Sequence, residues 1–160
     1  MKQKFQIEID VDASVAWAAI SQRFGDTAHW TSLLEQSHLE GELGCGGRRV
    51  CWNNGAMFVE EISAFDEAGR SLEYELTEGK PVIIERAVNT WSVEVSGQGK
   101  CMLTMQPDIR LYWWSRPLAP FVRLGLSVQL RKVLEEFKHW IETGRVHPRK
   151  AAQNLKLAKA

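Results

Sequence analysis

The feature that most constrains the fold is a long amphipathic pattern near the end of the chain. Apolar residues recur there at helical spacing, and they are Leu126, Leu130, Val133, Leu134, Phe137, Trp140 and Ile141. The pattern begins near Ser115–Pro120 and stops at Gly144, which is chemistry typical of helix ends. A helix of 25 residues is about 37 Å long. The rest of the chain must therefore supply a surface wide enough to cover its apolar stripe.

The N-terminal segment predicts one strand followed by two short helices. Residues 4–11 alternate between polar and apolar side chains, which is the pattern of a strand with one buried face. Apolar residues from Trp17 to Phe24 follow at helical spacing, and Gly25 can end that helix. We expect a second short helical piece over residues 30–34.

Between residues 36 and 107 the sequence alternates between β-favouring runs and turn residues. The turns are marked by glycine, asparagine, aspartate and proline, which tolerate turn dihedral angles. The runs between them predict about six strands at hairpin spacing, so that with the first strand the antiparallel sheet has about seven. The simplest arrangement is an α+β fold in which this sheet curves around the long C-terminal helix. Such a fold often leaves a cavity that binds a small molecule.

Charge and hydropathy exclude several classes of partner. Lys plus Arg and Asp plus Glu each total 20, so the chain lacks the basic surplus of most nucleic-acid binders. No apolar run reaches the ~18 residues of a membrane span, and the N-terminus has no signal-peptide core. Residues 145–160 carry basic side chains and no acidic one. We expect one domain over residues 1–144, followed by a basic, flexible tail.

The cysteines and histidines show no metal-binding spacing. Cys45, Cys51 and Cys101 match no zinc pattern, and we interpret them as free thiols that pack as small apolar groups in the reducing cytoplasm. No phosphate-binding loop and no nucleophile-elbow motif occurs. The sequence therefore predicts no metal site and no cofactor.

Several segments spread over residues 5–144 share their order and spacing with one protein superfamily. They are Ile9–Ser14 followed by Trp17, then Trp30, Gly41–Arg48, Phe58–Ile62, Phe65–Tyr74 and Leu134–Gly144. Together they resemble the SRPBCC superfamily, also called START or Bet v 1-like, and within it the polyketide cyclase/dehydrase and lipid-transport-like proteins. The resemblance implies a helix-grip fold with a ligand cavity. It implies no particular reaction, because one fold hosts many functions.

Glu60 is the first candidate for a functional group inside the sheet. It shares a strand face with Phe58 and Ile62, where a carboxylate is costly unless it is paired or neutral. The alternative is an edge position from which Glu60 reaches water. A shift of one residue in the strand register would instead bring Glu61 inside.

Arg48 is the candidate partner of Glu60 or of an anionic ligand group. It follows a glycine-rich turn and shares a face with Val50 and Trp52. The alternative is a turn arginine in solvent. We expect the neighbouring Arg49 to face solvent.

The remaining candidates are polar and aromatic side chains. Tyr74 and Asn89 lie on the more apolar faces of their strands, where each is either a ligand contact or a hydrogen-bonded core residue. The flat rings of Trp30, Trp52 and Trp91 suit planar or lipid-like ligands, although packing in the core also explains these tryptophans. The predicted ligand-binding residues are Trp30, Leu33, Arg48, Trp52, Glu60, Tyr74, Asn89 and Trp91.

These features favour binding or transport of a lipid-like or aromatic small molecule in an internal cavity. One alternative is a cyclase or dehydratase that uses Glu60, Arg48 and Tyr74 for acid–base chemistry. A second alternative is a module that docks on a membrane or a partner through Trp113–Trp114 and the basic tail. Packing beneath the start of the long helix also explains the two tryptophans.

Overall fold

The structure is a computed structural model that describes all 160 residues. The strands are Phe5–Ile9 (β1), Gln36–Glu40 (β2), Arg48–Asn53 (β3), Ala56–Asp66 (β4), Ser71–Glu78 (β5), Ile84–Gly97 (β6) and Lys100–Leu111 (β7). The α-helices are Ala13–Ser21 (α1), Ala119–Thr143 (α2) and Pro148–Lys159 (α3). Two 3-10 helices occupy Phe24–His29 and Trp113–Leu118.

All strands pair antiparallel in one sheet of order β1-β7-β6-β5-β4-β3-β2. The pairing of β4 with β5 is interrupted by two register shifts, one between Val59 and Glu60 and one between Ile62 and Ala64. Such bulges bend a strand and increase its twist. The curved sheet wraps around α2, which confirms the predicted α+β helix-grip fold.

The two halves of α2 are covered to different degrees. In the second half Leu130, Leu134 and Phe137 are buried in one apolar cluster with the inner face of the sheet, and Phe137 is completely inaccessible. Between Ala119 and Gln129 no residue is fully buried. The core therefore lies under the second half of the helix, and the interior is loosely covered under the first half.

Two short helices follow β1 as predicted, but the second one lies earlier in the chain. It is the 3-10 helix Phe24–His29, and residues 30–34 form turns instead of a helix. Gly25 lies within this 3-10 helix and does not end α1. A Cβ atom at Gly25 would come 2.6 Å from the backbone nitrogen of Leu39, so the helix packs directly against β2.

The basic tail is not the flexible segment that its composition predicts, because residues 148–159 form α3. Lys150 is only 2% exposed, and its Nζ atom donates a hydrogen bond of 2.8 Å to the carbonyl of Leu34. A lysine can bury its long aliphatic stem while its ammonium finds oxygen acceptors. Composition alone cannot distinguish such a docked helix from a solvated tail.

None of the helices combines the length and apolarity needed to cross a bilayer. Cys45 is an exposed free thiol, and Cys51 and Cys101 are buried free thiols. No group of three or more histidine, cysteine, aspartate or glutamate side chains is placed to hold a metal ion.

Candidate functional site

A buried ion pair lies on the inner face of the sheet. Arg49 of β3 is directly opposite Glu60 of β4, and its Nε and Nη2 atoms lie 2.7 and 2.5 Å from Glu60 Oε2. The two side chains are only 6% and 13% exposed. Arg49 Nη1 also donates to the carbonyl of Phe24 at 3.1 Å and to Thr27 Oγ1 at 2.5 Å. The guanidinium is therefore held by β4 on one side and by the first 3-10 helix on the other.

The surroundings of this pair stabilise its charges. The Arg49 guanidinium carbon lies 4.0 Å from the centre of the Phe24 ring and 5.0 Å from that of Tyr74, a favourable arrangement for a desolvated cation. Burial alone would lower the pKa of Arg49, but the carboxylate of Glu60 raises it above its ordinary value. The group therefore stays charged at any physiological pH.

The thiol of Cys51 is the third member of this cluster. Its Sγ atom lies 3.6 Å from Glu60 Oε2. Burial, and then the negative charge of Glu60, raises the pKa of Cys51 to about 12. Because the thiolate is the reactive form, this cysteine is a poor nucleophile at neutral pH.

The structure reverses the predicted roles of the two neighbouring arginines. Arg48 is opposite Glu61 and points to the other face of the sheet, where it pairs with Glu78 and is 38% exposed. Arg49 takes the inner position that was predicted for Arg48. The cause is the register of β3 and β4, which places Arg49 opposite the inward-facing Glu60.

The hydroxyl of Tyr74 is a second polar group on the inner face. It accepts hydrogen bonds from Asn89 Nδ2 at 2.9 Å and from Trp91 Nε1 at 3.3 Å, both on the adjacent strand β6. Burial, and then the charge of Glu60, raises the pKa of Tyr74, so the group stays a neutral phenol. No protein acceptor takes its own proton. The buried Asn89 Oδ1 atom also has no hydrogen-bond partner.

Aromatic rings fill the space between this polar cluster and α2. Trp30 stacks on Trp140 with ring centres 6.1 Å apart, and it meets Phe137 edge-on at 5.1 Å. Trp91 lies 6.2 Å from both Trp30 and Phe137. Such tilted and stacked pairs add to the stabilisation from burial.

The aromatic packing leaves an interior much smaller than the cavity predicted from the sequence. Two cavities of about 10 and 40 Å³ remain, and Thr27, Arg49, Tyr74 and Trp91 line both of them. These volumes suit water molecules, whereas pockets for small molecules usually measure roughly 300–1,000 Å³. Any ligand of that size would have to displace side chains or the helix.

The predicted ligand-binding residues divide between the two faces of the sheet. The residues that line a cavity are Trp30, Leu33, Glu60, Tyr74 and Trp91. Asn89 lines neither cavity, but its Nδ2 atom donates a hydrogen bond to the Tyr74 hydroxyl. Trp52 lies on the same face as Arg48, with its ring 5.4 Å from that of His38. Of the three residues of the catalytic alternative, the structure brings Glu60 and Tyr74 together and turns Arg48 away.

A buried carboxylate that the sequence did not single out joins α2, α3 and the turn after the first 3-10 helix. The Glu136 side chain is 1% exposed. It accepts hydrogen bonds from Thr31 Oγ1 at 3.0 Å, from Ser32 N and Oγ at 2.8 and 2.6 Å, and from Arg149 Nε at 2.8 Å. Burial alone would raise the pKa of Glu136, but these donors lower it. The only sequence signal was an excess of basic groups in the tail.

Solved structures with a similar fold span several kinds of protein. The chain is similar to the protein XoxI from Bacillus cereus, with 16% identity, a TM-score of 0.72, and coverage of 91% of this chain and 99% of that chain. It is similar to a norcoclaurine synthase point mutant from Thalictrum flavum in complex with a transition-state analogue, with 14% identity, a TM-score of 0.68 and coverage of 88% and 93%. It is also similar to the di-domain ARO/CYC protein BexL from the BE-7585A biosynthetic pathway, with 15% identity, a TM-score of 0.71 and coverage of 87% and 45%. At such identities the likeness establishes the fold alone.

Sequence comparison is more specific about the family. Comparison with curated proteins found no match. The family described as polyketide cyclase/dehydrase and lipid transport matches residues 2–142, so that α3 lies outside the matched region. Since this match covers nearly the whole helix-grip domain, the chain belongs to the polyketide cyclase/dehydrase and lipid transport family.

Proposed function

We propose that the protein binds a hydrophobic small molecule between the sheet and α2, and that the Tyr74 hydroxyl donates a hydrogen bond to an oxygen atom of that molecule. The observation that carries this proposal is the unpaired proton of a buried phenol that lines both inner cavities. The family description, which includes lipid transport, supports the class of ligand.

The energetics of the inner polar groups support a binding role. A buried ion pair such as Arg49–Glu60 is often no more stabilising than apolar residues of similar volume. A buried polar atom left without a partner, such as Asn89 Oδ1, costs about 1–3 kcal/mol. A ligand with one acceptor and one donor would satisfy both Tyr74 and Asn89.

The loosely covered end of the interior supplies room for the ligand. Val122 and Leu126 on the inward side of α2 are only half-buried, and so are Leu76 and Ala87 on the inner face of the sheet. One turn after Leu126, the helix borders the 40 Å³ cavity. An outward shift of the first half of α2 would enlarge this cavity while the packing around the second half stays in place.

Titration with a matched pair of ligands tests the proposal. Anthracene and anthraquinone have the same three-ring shape, but only the quinone carries oxygen acceptors, and both should quench tryptophan fluorescence on binding. Tyr74→Phe should weaken anthraquinone binding about tenfold, the equivalent of one hydrogen bond of about 1.4 kcal/mol, and should leave anthracene binding unchanged.

Tyr112→Phe is the matched control, because Tyr112 is the other tyrosine of the chain and is 41% exposed. It should bind both compounds like the wild type. If neither compound binds the wild type, and a series of fatty acids also fails to bind, the proposed function is wrong. If Tyr74→Phe binds both as the wild type does, Tyr74 has no role in recognition.

A second candidate function is docking to an anionic membrane surface. Trp113, Phe121 and Leu124 are exposed apolar residues around the start of α2, with 78%, 73% and 66% of their surfaces accessible, and we call them the apolar patch. Arg116 and Arg123 are exposed in the same segment. Tryptophan beside basic residues is typical of segments that lie in a membrane interface. This patch, and not the basic tail, is the candidate contact, since Arg149 and Lys150 of the tail are bound internally.

Vesicle flotation tests this second candidate. The double variant Trp113→Ser/Phe121→Ser should bind vesicles of phosphatidylcholine with phosphatidylserine at least tenfold more weakly than the wild type. Val95 is an equally exposed apolar residue, 68% accessible, near the C-terminal end of β6 and outside the apolar patch. The variant Val95→Ser should therefore bind vesicles like the wild type. Equal binding by all three proteins would contradict membrane docking.

A further inference from the structure

A groove of about 570 Å³ lies outside the interior, between α2, α3, residues 32–35 and the turn that joins β3 to β4. The polar side chains that line it include Asn53, Asn54, Gln129, Lys132 and Lys156. The groove depends on α3, and α3 lies outside the region matched by the family. It is therefore a feature of this chain and not of the family's common fold.

Two apolar side chains belong to the walls of both this groove and the interior. Leu33 and Val133 line both the groove and the 40 Å³ cavity that Glu60 and Tyr74 border. Leu33 belongs to a turn and is half-buried. A rotation of its side chain would join the groove to the interior.

The charges in the groove leave two lysines without acidic partners. The carboxylate of Glu136 is paired with Arg149. Glu35 forms no ion pair, and it acts on the buried ammonium of Lys150 only through its charge. Neither Lys132 nor Lys156 forms an ion pair. With the paired groups set aside, the groove presents two lysine cations, the carboxylate of Glu35 and three amide side chains, so that cations outnumber anions.

We propose that this groove holds the anionic head of an amphiphile whose apolar body passes between Leu33 and Val133 into the interior. Lys132 and Lys156 bind the head, and the amides of Asn53, Asn54 and Gln129 supply further hydrogen bonds. A polar groove that shares a wall with an apolar, aromatic interior fits a ligand with one charged and one hydrophobic end. This inference rests on the proposed function and specifies the class of ligand and its route of access.

Paired ligands and paired variants test the proposal. Dodecanoate and 1-dodecanol have the same chain, but only dodecanoate is charged, and binding of both is followed by tryptophan fluorescence. Lys132→Gln/Lys156→Gln should weaken dodecanoate binding at least tenfold and leave dodecanol binding unchanged. Lys2→Gln/Lys4→Gln removes the same charge from a region outside the groove and should affect neither ligand.

The access route has its own variant. Leu33→Trp narrows the passage and should slow the association of both ligands in stopped-flow measurements, and Leu33→Ala should accelerate it. If both ligands bind the wild type but the groove variant binds dodecanoate normally, the groove does not hold the anionic head. If the Leu33 variants leave the association rates unchanged, the ligand does not enter between Leu33 and Val133. The proposed function stands in both cases. If neither ligand binds the wild type, the proposed function itself fails.

Discussion

Arg49 and Glu60 meet across β3 and β4, with 2.5 Å between Arg49 Nη2 and Glu60 Oε2, at a point where their side chains are 6% and 13% exposed. Neither charge is well solvated there, so each depends on the other for its stabilisation. Removing one partner from such a buried pair is much more costly than removing both.

Glu60→Gln should therefore lower the free energy of unfolding by about 3–5 kcal/mol, because it leaves a buried guanidinium without a counter-charge. Urea denaturation at neutral pH measures this. The double variant Arg49→Met/Glu60→Leu should recover most of the loss. Arg48→Gln breaks only the exposed pair with Glu78 and should cost less than about 1 kcal/mol. If Glu60→Gln and Arg48→Gln lowered the free energy of unfolding by similar amounts, Glu60 would not be the buried partner of Arg49.

Glu136 should make stability depend on pH in the acidic range. Its pKa in the folded protein lies below the ordinary value of 4.5, so its contribution is fully present above that pH and is lost as the pH falls through the folded pKa. At neutral pH Glu136→Gln should be less stable than the wild type, and the difference should shrink as the pH falls below 4.5 and through the folded pKa of Glu136, because both proteins then carry a neutral group at this position. Urea denaturation across this range checks the prediction. A difference that is constant with pH would show that the carboxylate charge is unimportant.

The three thiols should differ in reactivity. Cys45 is exposed, whereas Cys51 is buried with its pKa raised to about 12 and Cys101 is buried with a raised pKa. Because thiolate content and access set the rate, the disulfide reagent DTNB should modify one thiol rapidly in the native protein and all three after unfolding. Cys45→Ser should abolish the rapid phase. A rapid phase that persists in Cys45→Ser would show that Cys51 or Cys101 is accessible.

Two glycines should respond in opposite directions to the same substitution. Gly25→Ala would place a Cβ atom 2.6 Å from the backbone nitrogen of Leu39, whereas a Cβ at Gly125 in α2 meets no atom within 4 Å. Gly25→Ala should therefore lower the free energy of unfolding by about 1–3 kcal/mol, which is the typical cost of overpacking. Gly125→Ala should stabilise the protein by about 0.5–1 kcal/mol through helix propensity. Thermal denaturation of both variants measures these changes in stability. A Gly25→Ala variant as stable as the wild type would contradict the tight contact with β2.

The overall fold could be predicted because its signals are periodic. The apolar stripe from Leu126 to Ile141 and the regular spacing of turns required a long helix against an antiparallel sheet. The docking of α3 could not be predicted, because it depends on a lysine ammonium reaching the carbonyl of Leu34, 116 residues away. No local pattern encodes a contact at that separation.

The inner ion pair could have been predicted with a different argument. Alternation within β3 identifies two faces but does not say which one is inside. The turn at Asn54 and Gly55 has positive φ at both residues, the signature of a two-residue hairpin, and it pairs Asn53 with Ala56. Counting four residues away from the turn along each strand leads from Asn53 to Arg49 and from Ala56 to Glu60, which therefore pair. The small size of the cavities, by contrast, follows from side-chain packing that only coordinates reveal.

The strand order has a consequence for synthesis of the protein on the ribosome. Phe5 of β1 pairs with Met105 of β7. Among the strands of this sheet β1 is therefore made first, and it has no hydrogen-bonding neighbour until β7 has been translated. At roughly 5–20 residues per second this delay is on the order of 5–20 s. During that time the apolar side chains of β1 are exposed to chaperones and to other nascent chains.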